Sequence, residues 1–246
     1  MTDLREIESW GHEVRLIERS IESHAPSGRR MDILEAGCGP DWSLKLNVDY
    51  RLTGLDLDPA ALKRRKSKAN DLHETILGDL ATVDLGSRKF DCIYCSFVLE
   101  HLINAETVLL NFLNWLHPNG IIVMRVPDRD SAQGFLTRNT PHFIHVLGYK
   151  FLLGDRDAGK PGHNPYRTYY PRIISLRELE AFCVRHQLRV IEAYAVRNDP
   201  RNNVFRRVFR LPMYLVLRAI HLFSFGSLDY RHTNIGFILQ KRAGAT

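Results

Sequence analysis

The chain has 246 residues, with 44% hydrophobic, 25% charged and 10% aromatic residues, which excludes fibrous, collagen-like and wholly disordered chains and supplies enough apolar material for a full core. The length suits one α/β domain with insertions, and 1–246 is read as a single domain. Lys and Arg number 34 against 28 Asp and Glu, a formal net charge of +6, so an acidic partner such as anionic lipid or nucleic acid stays open.

Residues 3–23 carry Leu4, Ile7, Trp10, Val14, Ile17 and Ile21 at spacings of three and four, the pattern of an amphipathic opening helix that ends near Pro26-Ser27-Gly28. The period then changes. Strands are predicted at Met31–Ala36, Leu52–Asp56, Thr75–Leu77, Phe90–Cys95 and Ile121–Val126, with helices at Pro59–Ala69 and Ala105–Leu116. Such alternation implies a parallel sheet covered on both faces. Beyond Pro127 the pattern lapses for about fifty residues, a length that in a compact domain signals a functional loop or lid. Phe143, Ile144, Val146, Leu147, Phe151 and Leu152 within it look like a buried helical segment. A helix at Leu176–His186, a strand at Arg189–Val196, a basic segment and a last strand at Ile235–Gln240 complete the chain.

Cysteines at 38, 92, 95 and 183 are too scattered for a disulfide framework, and the charged amino terminus MTDLREIESW is unlike a signal peptide, so the expected compartment is the cytoplasm. Cys92 and Cys95 lie three apart on a strand, hence on opposite faces, with no second pair to complete a zinc site; no metal is expected. Leu211 to Phe225 is the most apolar stretch, but Arg218 interrupts it and it falls short of the roughly 20 apolar residues of a spanning helix.

Chemistry concentrates where the first predicted strand runs into Glu35-Ala36-Gly37-Cys38-Gly39-Pro40. Two glycines one residue apart allow a sharp turn and the approach of a ligand without a Cβ in the way. Nineteen residues after Gly37, the next strand ends in Asp56, followed by Asp58-Pro59. An acid at that strand end can accept both hydroxyls of a ribose across the crevice from the glycine turn, and Asp56 is the expected ribose ligand ahead of Asp58. A dinucleotide pyrophosphate is disfavoured because the third glycine position holds Trp42, preceded by Pro40 and Asp41. A nucleoside without phosphates fits better.

With Leu77-Gly78-Asp79-Leu80, Phe90–Leu102 and Leu116-His117-Pro118-Asn119-Gly120 added to these blocks, the sequence resembles the class I S-adenosylmethionine-dependent methyltransferases that act on small molecules, lipids and glycans. The resemblance covers about residues 30–127, and 173–196 loosely. It implies a Rossmann-like, doubly wound, seven-stranded, mostly parallel sheet whose last strand inserts antiparallel, and S-adenosylmethionine as cofactor. Carried onto this chain, Glu35, Gly37, Cys38 and Gly39 would line the methionine end. Asp56 and Leu57 would take the ribose, Asp79 and Leu80 the adenine, and Ser96, Phe97 and His101 the side near the sulfonium. One departure is Asp41, where a further glycine is usual.

Methyl transfer needs alignment and exclusion of water more than covalent help, and a base only where the acceptor must lose a proton. His101 and His163 are the expected candidates for that base, His163 because it sits in a Gly- and Pro-rich loop beside His142, His145, Tyr166, Tyr169 and Tyr170. Residues 128–172 are expected to form a substrate lid, and 197–232 a basic amphipathic insertion with seven arginines against Asp199 and Asp229. Three roles stay open for 206–225: peripheral membrane contact at lipid headgroups, packing or homodimer formation, and nucleic-acid binding. The functional expectation is a methyltransferase for a small-molecule, lipid-linked or sugar acceptor; the alternative is an inactive nucleoside-binding scaffold or regulatory subunit.

Overall fold

The computed structural model describes residues 4–39, 41–160, 165–197 and 207–242. Its centre is an eight-stranded sheet of β1 (Arg5–Ile7), β2 (Met31–Ala36), β3 (Tyr50–Asp56), β4 (Glu74–Leu77), β5 (Phe90–Ser96), β6 (Leu116–Pro127), β7 (Arg189–Arg197) and β8 (His232–Gln240), in the order β1-β7-β8-β6-β5-β2-β3-β4. Every pairing is parallel except those of β8, which runs antiparallel to both β6 and β7. From β2 the chain steps outward through β3 to β4, then returns to place β5 on the other side of β2. This reversal opens a crevice at the carboxyl ends of β2 and β5, the usual ligand position in such sheets.

The expected seven strands become eight at the amino terminus. The predicted helix 3–23 starts only at Trp10, where α1 (Trp10–Ser23) is capped by the Ser9 side chain accepting from the His12 amide. Upstream of this stop, Ile7 buries while Arg5 and Glu6 stay exposed, and the three residues add to the sheet edge against Tyr194–Val196. The other predicted elements are found with shifted ends, most visibly β6, which begins at Leu116.

Helices α2 (Pro59–Lys68), α3 (Ala105–Trp115) and α6 (Leu176–Arg185) cover the sheet with α1. Asp58 caps α2 through the Ala60 amide, with Pro59 at the first helical position. One face of the sheet packs Ile93, Cys95, Ile122 and Met124 against Val108, Phe112, Leu179 and Phe182. The other packs Cys92, Tyr94, Ile121 and Val123 against Ile17 and Ile21. Cys92 and Cys95 thus enter opposite halves of the core, both reduced and buried, and among the described residues no group of His, Cys, Asp and Glu is arranged to hold a metal.

The segment after Pro127 contains α4 (Ala132–Asn139) and α5 (His142–Gly148). The expected burial of this second helix is not found: α5 has no buried residue, and Phe143, Ile144, Leu147 and Phe151 are exposed. The helix runs on into a π-helical turn, Tyr149–Leu153, and that turn is the element it chiefly packs against, so its apolar side is left uncovered. The basic segment folds as α7 (Arg207–Phe223), which packs on α4.

Candidate functional site

The glycine turn hangs on β3. The amides of Gly37 and Cys38 both donate to the Leu55 carbonyl, and the Gly39 amide donates to Asp56 Oδ2 at 3.0 Å. Gly37 has φ +72°, and a Cβ there would lie 2.4 Å from Val98 Cγ2, so only glycine fits between β2 and the turn after β5. Gly39 has φ +53° and open space where its Cβ would stand. The other oxygen of Asp56 accepts from the Asp58 amide at 2.9 Å. A carboxylate has about four lone-pair positions, so Asp56 anchors the turn and keeps acceptor capacity for a ligand. Leu57, next along, is exposed.

Asp56 is in register with Leu77 at the end of β4, and its carbonyl accepts from the Gly78 amide. Asp79 therefore stands one step beyond, its carboxylate accepting from the Ala81 amide at 2.8 Å, while Leu80 is buried with its carbonyl bonded to Asn111. On the other side of β2, Glu35 is in register with Tyr94, which brings Ser96 and Phe97 beside the turn. Glu35, Gly37, Cys38, Gly39, Asp56, Asp79, Ser96 and Phe97 are thus gathered along one edge. Trp42, at the missing third glycine, instead packs in the core edge-on to Tyr94 at 5.3 Å.

Beneath the turn lies a residue that sequence reasoning did not single out. Arg65 of α2 is fully buried; Nη1 donates to the Cys38 carbonyl at 2.6 Å, and Nε and Nη2 donate to the two oxygens of Asp71 at 2.9 and 3.0 Å. Burial opposes the charge, but the bonds to Asp71 and the contact with Glu35 outweigh it and keep the guanidinium ionised. Glu35 Oε2 lies 2.8 Å from Arg65 Nη2 without an aligned hydrogen bond. Because Asp71 already meets the charge of Arg65, burial governs Glu35 and pushes its carboxyl up to about 8. Burial also pushes the Cys38 thiol up to about 12, which removes it as a nucleophile near neutral pH. The only trace of Arg65 in the sequence is its place three residues after Leu62 within the basic run Lys63-Arg64-Arg65-Lys66.

A second buried pair closes the other side. Arg125 of β6 donates to both oxygens of Glu13 on α1 at 2.8 and 2.7 Å, donates to Ser96 Oγ at 3.2 Å, and stacks 4.8 Å from the centre of the Phe97 ring. Phe97 has φ +56°, held by its amide donating to the Arg125 carbonyl. A charge inside the apolar run Ile121–Val126 was its sequence signal.

His101 ends a 3₁₀ turn, Leu99–His101. Its Nδ1 bonds the Arg167 carbonyl at 2.8 Å; since a carbonyl only accepts, Nδ1 carries the proton and Nε2 the lone pair. Burial pushes its pKa below the ordinary value, opposed by the Arg167 bond, so the ring is neutral at pH 7. Nε2 is 3.8 Å from Glu100 Oε1, whose carboxyl burial raises to about 8. The Glu100 carbonyl accepts from the Tyr169 and Tyr170 amides, tying the 165–170 segment to the crevice. His163 lies outside the described residues, while His145 Nε2 bonds the carbonyls of Thr137 in the last turn of α4 and Thr140 just after it, tying α5 to α4.

The doubly wound sheet thus carries a glycine turn at the end of one strand and an acid, bonded to that turn, at the end of the next. Residues 34–124 match the family model described as a methyltransferase domain. The chain is 30% identical over 149 residues to a ubiquinone biosynthesis O-methyltransferase of Rickettsia canadensis, covering 56% of this chain and 57% of that one. It is 24% identical over 163 residues to a trans-aconitate 2-methyltransferase of Delftia acidovorans, covering 63% and 59%. The chain spans less than two thirds of the length of the curated relatives it matches. Among solved structures, the YcgJ protein of Bacillus subtilis superposes with a TM-score of 0.57 at 13% identity, over 95% of this chain and all of that one. The [4+2]-cyclase SpnF superposes at 0.54 with 12% identity, over 97% and 85%. One fold thus carries differently named reactions, and function has to be argued from the site.

Proposed function

We propose that the chain transfers a methyl group from S-adenosylmethionine to a small-molecule, lipid-linked or sugar acceptor. The observation that carries this reading is the meeting of Gly39, Asp56 and Asp79 at three adjacent strand ends, inside the stretch that matches the methyltransferase domain. One feature fits the cofactor: Gly39 leaves open space where a side chain would stand. Glu35, Gly37, Cys38 and Gly39 hold the methionine end, Asp56 and Leu57 the ribose, and Asp79 and Leu80 the adenine. Ser96, Phe97 and His101 flank the reacting side.

S-adenosylmethionine supplies an electrophilic methyl group on a cationic sulfur that departs as a neutral thioether. The protein's share is alignment: well-oriented reactants gain an effective concentration of about 10⁵ M or more. The Arg125–Glu13 pair fixes Ser96 and Phe97 in place for this. Where the acceptor must lose a proton, His101 Nε2 takes it, because the ring is neutral and its tautomer is set by Arg167. The test is incubation with methyl-labelled S-adenosylmethionine and lipid, glycan and small-molecule extracts. Label should enter an acceptor with the wild type and not with Asp56→Ala, as S-adenosylhomocysteine accumulates in proportion. Label transfer that Asp56→Ala leaves unchanged would refute the assigned site.

A further inference from the structure

The helix α7 shows apolar residues on both sides. Its inner side is clasped by the domain: Leu217 is buried, and Tyr214 and His221 pack on Tyr230 with ring centres 5.9 and 5.0 Å apart. His221 Nδ1 also bonds the Leu228 carbonyl at 2.8 Å. Its outer side is open, with Leu211 66%, Leu215 56%, Leu222 68% and Phe223 85% exposed, and Phe225 just beyond the helix 99% exposed. Leu211, Leu215 and Leu222 follow one another at i, i+4 and i+11, which puts them on one stripe of a 3.6-residue helix. Such a stripe is large for a face left in water.

The charge it carries selects the occupant. The helix contains three arginines, at 207, 210 and 218, and no Asp or Glu. A second copy of the chain would bring three positive charges against three, a repulsion that an apolar stripe alone would have to overcome. An anionic lipid leaflet attracts those charges and takes up the leucines and phenylalanines, as interfacial helices do. Among the described residues no helix is long and apolar enough to cross a membrane, so the fitting arrangement is a helix lying in the headgroup plane.

Its position in the fold adds a direction. The helix lies between the carboxyl end of β7 and the amino end of β8, which is antiparallel, so both flanks are on the edge that holds Gly39, Asp56 and Ser96. Its carboxyl end is fixed there by the Ser131–Asp229 bridge and by the Ala132 amide donating to the Asp229 carbonyl. Just past the helix, Ser227, Asp229 and His232 line a cavity of about 640 Å³ with Asp128, Leu176 and Ile235.

We infer that α7 docks the protein on an anionic bilayer surface through Leu211, Leu215, Leu222, Phe223 and Phe225, turning the carboxyl edge of the sheet toward the lipid. The docking stands on the helix alone; that a lipid-phase acceptor reaches the site by this route rests on the methyltransferase reading. The test is flotation of the full chain with phosphatidylcholine vesicles and with vesicles containing about 30% phosphatidylglycerol, a charge density that produces a surface potential of tens of millivolts. The wild type should bind the anionic vesicles at least about tenfold better than the neutral ones, and less as salt shortens the Debye length from about 10 Å. The double variant Leu222→Glu/Phe223→Glu alters only exposed positions and should lose at least about tenfold of that binding, with its circular dichroism and S-adenosylhomocysteine affinity unchanged. Failure to float with anionic vesicles, or equal flotation of the double variant, overturns the proposal. So does a dimer in sedimentation velocity that the double variant converts to monomer. The S-adenosylhomocysteine titration reports separately on the cofactor reading.

Discussion

Arg65→Ala tests the reasoning about the glycine turn at its base. The change removes two bonds to Asp71, one to the Cys38 carbonyl and the contact with Glu35, leaving two acidic groups facing each other around a fully buried gap. Breaking a buried pair by removal of one partner costs about 3–5 kcal/mol. For a domain of this size 1 kcal/mol moves Tm by roughly 2–4 °C, so a fall of about 6–20 °C is expected in a thermal scan. The control is adjacent: Arg64→Ala breaks only an exposed contact with Asp58 at 3.4 Å, worth about 0–1 kcal/mol. Since Arg65 also holds the turn by its carbonyl, the S-adenosylhomocysteine Kd should rise about tenfold, roughly 1.4 kcal/mol. Arg65→Lys should recover little, because an ammonium cannot reproduce the planar fork on Asp71. A Tm shift no larger than that of Arg64→Ala, with Kd unchanged, would refute the account.

Other expectations follow from the same geometry. Gly37→Ala places a methyl 2.4 Å from Val98 in a backbone that favours glycine, and should cost about 3 kcal/mol or more by denaturant titration, strain and overlap together. Gly39→Ala meets no neighbour, so it should cost only the roughly 1–2 kcal/mol of a left-handed backbone while weakening cofactor binding disproportionately in calorimetry. Glu13→Ala leaves Arg125 buried without its carboxylate partner and should lower stability by about 3–5 kcal/mol, with loss of activity beyond that of the folded fraction. The buried carboxyl of Glu100 has its pKa raised to about 8 against an ordinary value near 4.5, so the native state keeps a proton that the unfolded chain releases between those values. Its contribution is complete below about pH 4.5 and is lost as pH rises through 8, at about 1.4 kcal/mol per unit in that window. Glu100→Gln should flatten that part of the stability profile, and an unaltered slope in denaturant titrations at pH 5, 6, 7 and 8 would contradict the assignment.

The glycine turn and Asp56 were legible in the sequence because they express local rules: a backbone that must turn sharply, and a side chain at the end of an apolar run; Asp79 came only with the family resemblance. Arg65 was not, since its burial depends on Asp71 and on the Cys38 carbonyl, and in the chain it looks like its solvated neighbours Arg64 and Lys66. The Arg125–Glu13 pair joins residues 112 positions apart, a separation no local pattern reveals. The first strand was hidden in a helical spacing that Ser9 interrupts. The apolar residues of α5 were expected inside because hydrophobicity alone does not say whether a short helix has an element to cover it. His163 remains a sequence expectation, as it lies outside the described residues.

The central claim is that the crevice at Gly39 and Asp56 holds a sulfur nucleoside, and calorimetric titration tests it most directly. S-adenosylmethionine and S-adenosylhomocysteine should bind the wild type with a Kd of micromolar order, about −8 kcal/mol, NAD should not bind, and Asp56→Ala should lose the sulfur nucleosides while staying folded. Binding of NAD in their place, or equal binding by wild type and Asp56→Ala, would contradict it.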